Sequence, residues 1–373
     1  MAVYLDYASH TPASEVALNA FISAERDFVA NPMSNHRVGE MARQELQRVT
    51  ASIAEKLQVS PSEIIFTSGA SEANNLAIKG IAEAYSYHGR HILSTCLEHP
   101  SVSGVLGFLQ EAGYEVELLR ILPDGTIDLQ HLESAIRKDT ILVCISAVDS
   151  ELGAVQPVVE ISEIISKHTH VHLHVDAAQA MGKLPVGVAG ASTFCFSPHK
   201  FYGICGSGVL VKREGVVLRP LIHGGNSGSL YRSGTPALGL AVACDAALEY
   251  ALTNQQAWLA KVTTLREYLL SNLNTRPEVR INSPVSGSPY ILNLSAKGVK
   301  ATQFVAELDK RGICVSVKSA CSTDNAPSRP VMAVSGDRQN ALSSWRVSLS
   351  HLTEVSELDM FMHAFKDALL LLT

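Results

Sequence analysis

Short apolar runs alternate with helical patterns from about Ile64 to Val211. The apolar runs have the length and composition of buried β-strands and lie at 64–67, 91–94, 116–119, 141–146, 171–175 and 193–197. Helical periodicity separates several of them, at 72–84, 101–111, 129–136 and 159–168. This alternation predicts an α/β fold with a mostly parallel sheet, whose ligands bind at the carboxyl ends of the strands.

The last part of the chain has a different pattern. A long helical stretch at 238–273 is followed by a region rich in Pro, Ser and Gly at 282–289. Shorter elements then follow, at 291–294, 301–310, 313–316, 345–348 and from 354 onward. We expect a large domain over 13–250, and a smaller α+β domain formed by 1–12 together with 251–373.

Composition narrows the class of protein. The net charge of −6, without a basic run, argues against a nucleic-acid partner. No apolar stretch approaches the ~20 residues that a membrane helix needs, and the N-terminus does not resemble a signal peptide. The seven cysteines are scattered and include no CxxC pair. These features predict a cytoplasmic protein without disulfides, membrane contact or a zinc knuckle.

Two strand ends carry residues that together suggest a cofactor. Asp176 ends the run 171–175, and Lys200 follows the run 193–197 within Ser197-Pro198-His199-Lys200. A lysine amine can form a Schiff base, and a buried carboxylate can keep a pyridine nitrogen protonated, which are the two requirements of pyridoxal 5'-phosphate (PLP). The alternatives are a solvated lysine and a strand-end carboxylate that caps the next helix. The pair in one chain favours PLP.

The segment from Thr67 to Glu72 leads from a predicted strand into a helix. Its glycine allows close approach of a ligand, and the helix start presents free N–H groups and a positive dipole end to an anion. Ser71 can add a hydroxyl to a cofactor phosphate. The alternative is an ordinary helix cap at Ser71.

Histidines give a weaker signal. Four of them alternate along one predicted strand, at 168, 170, 172 and 174, and would therefore share a face as metal ligands do. No acidic residue or cysteine follows at a ligand spacing, so we predict no metal site. His99 ends another predicted strand, where its ring can stack on a flat cofactor or be an ordinary interior histidine.

Cys321 lies in a polar segment, 317–325, whereas structural cysteines usually lie among apolar residues, as Cys144 and Cys195 do. A nearby Lys318 favours the thiolate if it comes close. The segment is therefore a candidate for a reactive thiol, and an unreactive loop cysteine is the alternative.

These motifs together resemble the cysteine desulfurases, the NifS/IscS-like branch of the class V aminotransferases. The resemblance covers nearly the whole chain, and its motifs lie at 4–8, 31–36, 67–75, 98–99, 174–179, 197–200, 223–225, 232–235, 319–321 and 346–349. It implies the PLP-dependent transferase fold type I, a PLP cofactor and L-cysteine as the substrate.

The resemblance also implies residue roles. The cofactor-binding residues would be Ala70, Ser71, His99, Ser150, Asp176, Gln179, Ser197, His199, Lys200 and Thr235. Among these, Lys200 would form the Schiff base, His99 would stack on the ring, and Asp176 would contact the ring nitrogen. Gln179 would contact the phenolic oxygen, and Thr235 would reach the phosphate of a partner subunit, which implies a homodimer with shared sites.

For the substrate, the resemblance implies that Arg346 and Asn31 bind L-cysteine, with Arg346 clamping its carboxylate. Lys200, once displaced, would remove the Cα proton, and the Cys321 thiolate would attack the substrate sulfur. The catalytic residues are therefore Lys200, Cys321 and His99. Alanine and a persulfide on Cys321 would result, ready for transfer to a protein acceptor.

The chain departs from the family pattern at four places. Asp149-Ser150-Glu151 replaces Asn-Asn-Glu, Lys318 replaces a glycine, Ile204-Cys205 replaces Pro-Lys, and Ser227-Gly228-Ser229 replaces Gln-Glu-Arg. These changes keep two alternatives open: a related PLP lyase or transaminase, which acts on selenocysteine or cysteine sulfinate, and a non-catalytic PLP-fold paralogue.

The chain ends at Thr373, without the C-terminal extension that some members use for docking. We therefore expect weak docking to an iron–sulfur scaffold, and a dedicated sulfurtransferase as the sulfur acceptor.

Overall fold

The computed structural model describes residues 2–225, 229–317 and 326–372. Its strands are β1 Val3–Tyr4, β2 Ile64–Thr67, β3 His91–Ser94, β4 Glu115–Leu118, β5 Thr140–Ser146, β6 His172–Asp176, β7 Thr193–Phe196, β8 Gly208–Lys212, β9 Val279–Ile281, β10 Ile291–Ala296, β11 Ile313–Cys314 and β12 Ser344–Ser348. Its α-helices are α1 Glu15–Asp27, α2 Arg37–Leu57, α3 Ala70–Ala84, α4 Pro100–Glu111, α5 Leu129–Ala135, α6 Val158–Ser166, α7 Leu238–Leu273, α8 Ala301–Lys310, α9 Arg329–Ser335, α10 Arg338–Leu342 and α11 Val355–Leu372.

The main sheet has seven strands in the order β2-β8-β7-β6-β5-β3-β4. The five strands from β7 to β4 are parallel, whereas β8 runs antiparallel to both of its neighbours. Every residue of β5, β7 and β8 is buried, because helices cover both faces of the sheet and leave no face for polar side chains. The predicted α/β fold with a mostly parallel sheet is confirmed.

A second, antiparallel sheet has the order β12-β10-β9, and β1 pairs in parallel with β11. The pairing of β1 with β11 brings the first residues of the chain beside the last third, since Val3 lies opposite Ile313. Residue Asp6 then forms a bridge with Ser348 at the end of β12. The first residues of the chain therefore lie beside both β11 and the end of β12.

The long predicted helix at 238–273 is confirmed as α7, against which α1 and α2 pack. The predicted helix at 301–310 is confirmed as α8. The strand predicted at 313–316 is shorter, since only Ile313–Cys314 pairs with β1. Only His172 and His174 lie in β6, whereas the chain at His168 is still closing the turn after α6, so the four histidines do not share a strand face as a strand over 168–174 would require.

Candidate active site

A cavity of about 350 Å³ opens at the carboxyl ends of the strands, where the two sheets meet. It is lined by the predicted site residues Ala70, Ser71, His99, Ser150, Asp176, Gln179, Ser197, His199, Lys200 and Arg346. Further lining comes from Ala8, Ser9, Ser68, Gly69, Glu72, Ser101, Ser146, Val148 and Ala178. The structure therefore brings ten of the thirteen predicted site residues into one place.

Asp176 is the last residue of β6 and is only 5% exposed. Its Oδ1 accepts a hydrogen bond from the Ala178 backbone N–H (2.9 Å), and its Oδ2 accepts one from Asn74 Nδ2 (2.8 Å). Within the described ranges, no cation lies within ion-pair distance of this carboxylate. A buried carboxylate that faces a cavity in this state is suited to a protonated ring nitrogen, because buried charge requires a partner.

Asn74, which is fully buried in α3, holds Asp176 in place. Its Oδ1 lies 2.8 Å from His174 Nε2, and an amide oxygen only accepts, so Nε2 carries the hydrogen. Burial lowers the pKa of His174 to about 4, so this imidazole is neutral. The orientation of the amide is thereby set, with its NH₂ group toward the carboxylate. His174 is a structural support of the site, and no metal-binding group of three His, Cys, Asp or Glu side chains occurs in the described parts of the chain.

His99 joins the same network. Asn74 Nδ2 also donates to Ser101 Oγ (2.8 Å), and His99 Nδ1 lies 2.8 Å from that hydroxyl and 3.1 Å from the Ser101 backbone N–H. Because Nδ1 accepts these hydrogens, the ring hydrogen of neutral His99 is on Nε2. Burial lowers the pKa of His99, which keeps the ring uncharged.

The opposite end of the cavity presents donors to an anion. Helix α3 starts at Ala70, whose N–H donates to Ser197 Oγ (2.6 Å), and Ser71 begins the first turn beside it. His199 Nδ1 is buried and has no hydrogen-bond partner among the described residues. An unsatisfied ring nitrogen, a serine hydroxyl and a helix N-terminus together fit a phosphate group.

A glycine that the sequence analysis did not single out shapes this end. A Cβ atom at Gly208, the first residue of β8, would lie 2.6 Å from the Gly69 carbonyl carbon. The two backbones can approach this closely only without that side chain. The approach holds the segment at 68–70 against the sheet.

Lys200 follows β7 in a short turn, and its Nζ donates to the backbone carbonyls of Ala8 (2.9 Å) and Ser9 (2.7 Å). The N-terminal segment therefore forms a wall of the cavity beside the lysine. This contact joins residues that are far apart in sequence, and the sequence analysis did not anticipate it.

Arg346, from the middle of β12, is 1% exposed and lies at the same wall. Its Nη2 contacts Asp6 Oδ1 (2.8 Å) and Ser9 Oγ (2.7 Å), and its Nη1 contacts the Ser150 backbone oxygen (2.7 Å). Nε is buried with no partner among the described residues. The guanidinium group is therefore fixed by three contacts and retains donors for a carboxylate. Ser150 takes part here through its carbonyl group.

Two buried acids lie behind the cavity. Asp149 Oδ2 accepts the backbone N–H groups of Glu151 (2.8 Å) and Leu152, and burial raises its pKa to about 7. Glu98 accepts the hydroxyls of Ser146 and Thr95, each at 2.7 Å, and burial raises its pKa to about 7 as well.

Asn31 and Thr235 do not line the cavity with the other predicted residues. Both are exposed, and Asn31 Nδ2 lies 3.5 Å from Thr235 Oγ1. The third predicted residue that is not in the cavity lining, Cys321, lies outside the described residues, as do Lys318, Ser227 and Gly228.

The described residues on either side of 318–325 contact the cavity walls. Ser316 exchanges two backbone hydrogen bonds with Arg346, at 3.2 and 2.7 Å. Ser328 Oγ donates to Glu151 Oε2 (2.6 Å), and Arg329 Nη2 donates to the Glu98 carbonyl (3.0 Å). Both flanks of the segment with Cys321 are thus attached beside Arg346 and His99.

No helix in the described ranges is long and apolar enough to cross a membrane.

Comparisons with known proteins identify the family of this chain and several relatives. The family model described as Aminotransferase class-V matches residues 3–361. A cysteine desulfurase IscS of Dictyoglomus turgidum is 35% identical over 362 residues, which cover 96% of this chain and 92% of the relative. A solved NifS-like protein superposes with a TM-score of 0.93 at 32% identity over 100% of both chains. A solved SspA in complex with cysteine has a TM-score of 0.80 at 32% identity, over 93% of this chain and 98% of that one.

Proposed function

The chain belongs to the class V aminotransferase family, and we propose a role for each site residue in the reaction for which its relatives are named. It is a PLP-dependent cysteine desulfurase with L-cysteine as substrate. The observation that carries this function is the single cavity in which Lys200, the buried carboxylate of Asp176 and the guanidinium of Arg346 meet.

The described residues fit the cofactor at both ends. Asp176 has no cation partner within the described ranges and would pair with the ring nitrogen, and the unsatisfied His199 Nδ1 with Ser197 would hold the phosphate. Ala70 and Ser71 would add the helix N-terminus to that phosphate site. Bound PLP supplies an electron sink that makes the substrate Cα–H acidic and lets the Cβ–S bond break.

Proton transfer, substrate binding and the remaining cofactor contacts are assigned to side chains. Lys200 would anchor the cofactor, and its amine, once free, would take the substrate Cα proton as general base. Arg346, with Asn31 as a second contact, binds the substrate carboxylate. His99 would stack on the cofactor ring, and Gln179 would donate to its phenolic oxygen. Ser150 contributes through its carbonyl, which holds Arg346.

Cys321 receives the sulfur. Its thiolate would form an S–S bond with the substrate sulfur as the Cβ–S bond breaks, with the bonding electron pair left on the carbon side and a proton taken up at Cβ, so L-cysteine and the thiol yield L-alanine and a persulfide. The attachments of Ser316, Ser328 and Arg329 to the cavity walls support delivery of the intervening segment to this place.

The test is intact-mass analysis of PLP-loaded protein after incubation with L-cysteine in the absence of reductant. We expect a gain of one sulfur atom that is absent in Cys321→Ala and retained in Cys205→Ser, since Cys205 is the exposed cysteine of the described chain. Alanine release should disappear in Lys200→Ala. Sulfur addition that persists in Cys321→Ala would refute the role of that cysteine.

A homodimer with shared active sites is the second part of the proposal. Its support is the location of Thr235, which is exposed and outside the cavity of its own chain, where a partner's phosphate site would be within reach. Mixed dimers of Thr235→Ala and Lys200→Ala chains should regain activity, because one site then combines the intact lysine with the partner's intact threonine. No recovery would mean that Thr235 serves its own chain.

We assign the PLP site to a large domain over 13–250, and the cysteine segment to a small domain of 1–12 and 251–373. The final acceptor of the persulfide sulfur is a protein thiol, on a sulfurtransferase or a scaffold, and the enzyme acts in the cytoplasm. Incubation of the persulfidated enzyme with a candidate acceptor, followed by mass analysis of both chains, tests the transfer directly.

A further inference from the structure

Lys183 is a buried lysine for which the proposed reaction has no use. It follows the turn after β6 and is 4% exposed. Its Nζ donates to Gln179 Oε1 (3.1 Å) and lies 5.9 Å from the centre of the Tyr290 ring. In the described ranges no carboxylate lies within ion-pair distance of it. Burial of an amine without a carboxylate partner is unfavourable for folding, which suggests that Lys183 has a role that offsets this cost.

Two cations near Lys183, Lys200 and Arg346, oppose its charge, whereas the Tyr290 ring attracts it. Lys200 and His199 face it from the turn after β7, Arg346 faces it from β12, and Tyr290 faces it from the start of β10. Burial, followed by the charges of Lys200 and Arg346, lowers the pKa of Lys183 to about 7. A neutral amine still donates hydrogen bonds, so the contact with Gln179 survives in either protonation state.

Gln179 is the residue on which Lys183 acts. Its Nε2 donates to the Ala8 carbonyl (2.8 Å), and its Oε1 accepts from Lys183. Rotating the amide by half a turn would place the NH₂ group against an amine and the carbonyl against another carbonyl. The hydrogen bond to Ala8 would be lost in every case, and the one to Lys183 would be lost whenever its amine is protonated, so the observed orientation is the stable one. In that orientation the NH₂ group has a second hydrogen for the cavity, which Gln179 lines.

We propose that Lys183 is a positioning residue, which fixes the orientation of the Gln179 amide so that it presents a hydrogen-bond donor to the ligand in the cavity. This inference rests on the proposed function, in which Gln179 donates to the phenolic oxygen of the cofactor. Lys183 itself does not touch the reacting atoms.

The test compares Lys183→Met, Lys183→Gln and Gln179→Leu in PLP-loaded protein, by following the absorbance of the bound cofactor across pH and its dissociation constant. Without the hydrogen bond from the Gln179 amide, the phenolic oxygen of the cofactor is more basic and keeps its proton to a higher pH. The pH midpoint of the cofactor absorbance therefore rises. We expect a rise of about one pH unit and about tenfold weaker cofactor binding in Lys183→Met. Lys183→Gln should restore the wild-type midpoint, because its amide donates without a charge.

Two further variants complete the design. In a Gln179→Leu background, Lys183→Met should cause no additional change. Lys212 is the matched control: it is also buried and lies 5.1 Å from the Tyr231 ring, but it donates to the Arg213 and Val216 carbonyls, which are not part of the cavity lining. Lys212→Met should alter the urea midpoint of unfolding and leave the cofactor absorbance unchanged.

Distinct results refute distinct claims. A wild-type midpoint in Lys183→Met, together with a raised one in Gln179→Leu, overturns the inference and leaves the proposed function intact. Equal rises in Lys183→Met and Lys183→Gln also overturn it, because charge and not orientation would then be the cause. A wild-type midpoint in Gln179→Leu refutes the proposed role of Gln179 itself.

Discussion

Replacement of Asp149 by asparagine should change the pH dependence of stability in a defined direction. Asp149 is buried, and burial raises its pKa from 3.8 to about 7. The folded state therefore resists ionisation of this acid, whereas the unfolded chain ionises freely. In the wild-type chain, ionisation of Asp149 costs no folding stability below pH 3.8. The cost increases as pH rises and reaches its full value above pH 7. Asparagine removes the penalty at every pH.

The magnitude follows from linkage. A pKa raised from 3.8 to about 7 corresponds to a full penalty of about 4 kcal/mol. Part of this penalty is already present at pH 5, so the stability of Asp149→Asn relative to wild type should be greater at pH 8 than at pH 5 by roughly 2–3 kcal/mol. The cost of fitting an amide at this position is the same at both pH values and cancels in the difference. The other buried acids and histidines are present in both chains and cancel as well, except for Glu151 and Glu98, whose charges contribute to the raised pKa of Asp149.

The assay is urea unfolding of the cofactor-free protein at pH 5 and pH 8, at one ionic strength. Asp128→Asn is the matched control, because Asp128 likewise accepts the backbone N–H groups of residues two and three positions later, but it is only partly buried and these bonds lower its pKa. Its substitution should show no pH dependence between pH 5 and pH 8, because a carboxyl with a lowered pKa is ionised at both pH values in the folded and in the unfolded chain. An Asp149→Asn difference that is equal at both pH values, or larger at pH 5, would refute the reasoning.

Three further results are expected. Asn74→Ala should destabilise the cofactor-free protein by about 3–4 kcal/mol in urea unfolding, because it leaves the buried Asp176 carboxylate and the His174 N–H without this hydrogen-bond partner. Asn75→Ala on the same helix should cost under about 1 kcal/mol, and equal losses in the two variants would contradict the prediction. Arg346→Lys should lower kcat/KM for L-cysteine about 100-fold, since an ammonium group cannot keep the planar contacts, and a change within about threefold would contradict it. Gly208→Ala should weaken PLP binding about tenfold, because the new Cβ atom would displace the segment at 68–70, which is proposed to bind the phosphate. Gly104→Ala is the control and should leave PLP binding unchanged, because a Cβ atom there meets nothing within 4 Å.

The elements with a strong local pattern were predictable. The apolar run at 141–146 and the long helical period at 238–273 correspond to β5 and α7. Strand β8 was not among the predicted strands, and its antiparallel direction depends on pairing with β2 and β7, which no local pattern reports. The histidine run shows the converse error, since alternation in sequence suggested a strand where the chain at His168 is still turning.

Most of the cavity residues were also predictable, because parallel strands place their carboxyl ends at one edge of the sheet. Asp176 and Lys200 follow two such strands, and the resemblance to the family identified Gln179 and Arg346 by their motifs. The supporting residues carried no such signal. Asp6 and Arg346 are 340 positions apart in the chain and meet only because β1 pairs with β11.

The sequence by itself determined the fold class, most of the strands of the main sheet and many of the residues that line the cavity, because these depend on short-range hydrophobic periodicity and on motifs at strand ends. The tertiary structure alone decided how those residues are held. Asn74 orients Asp176, and Lys183 meets the amide of Gln179. Such orientations depend on which buried donors and acceptors come together, and packing between distant segments decides that.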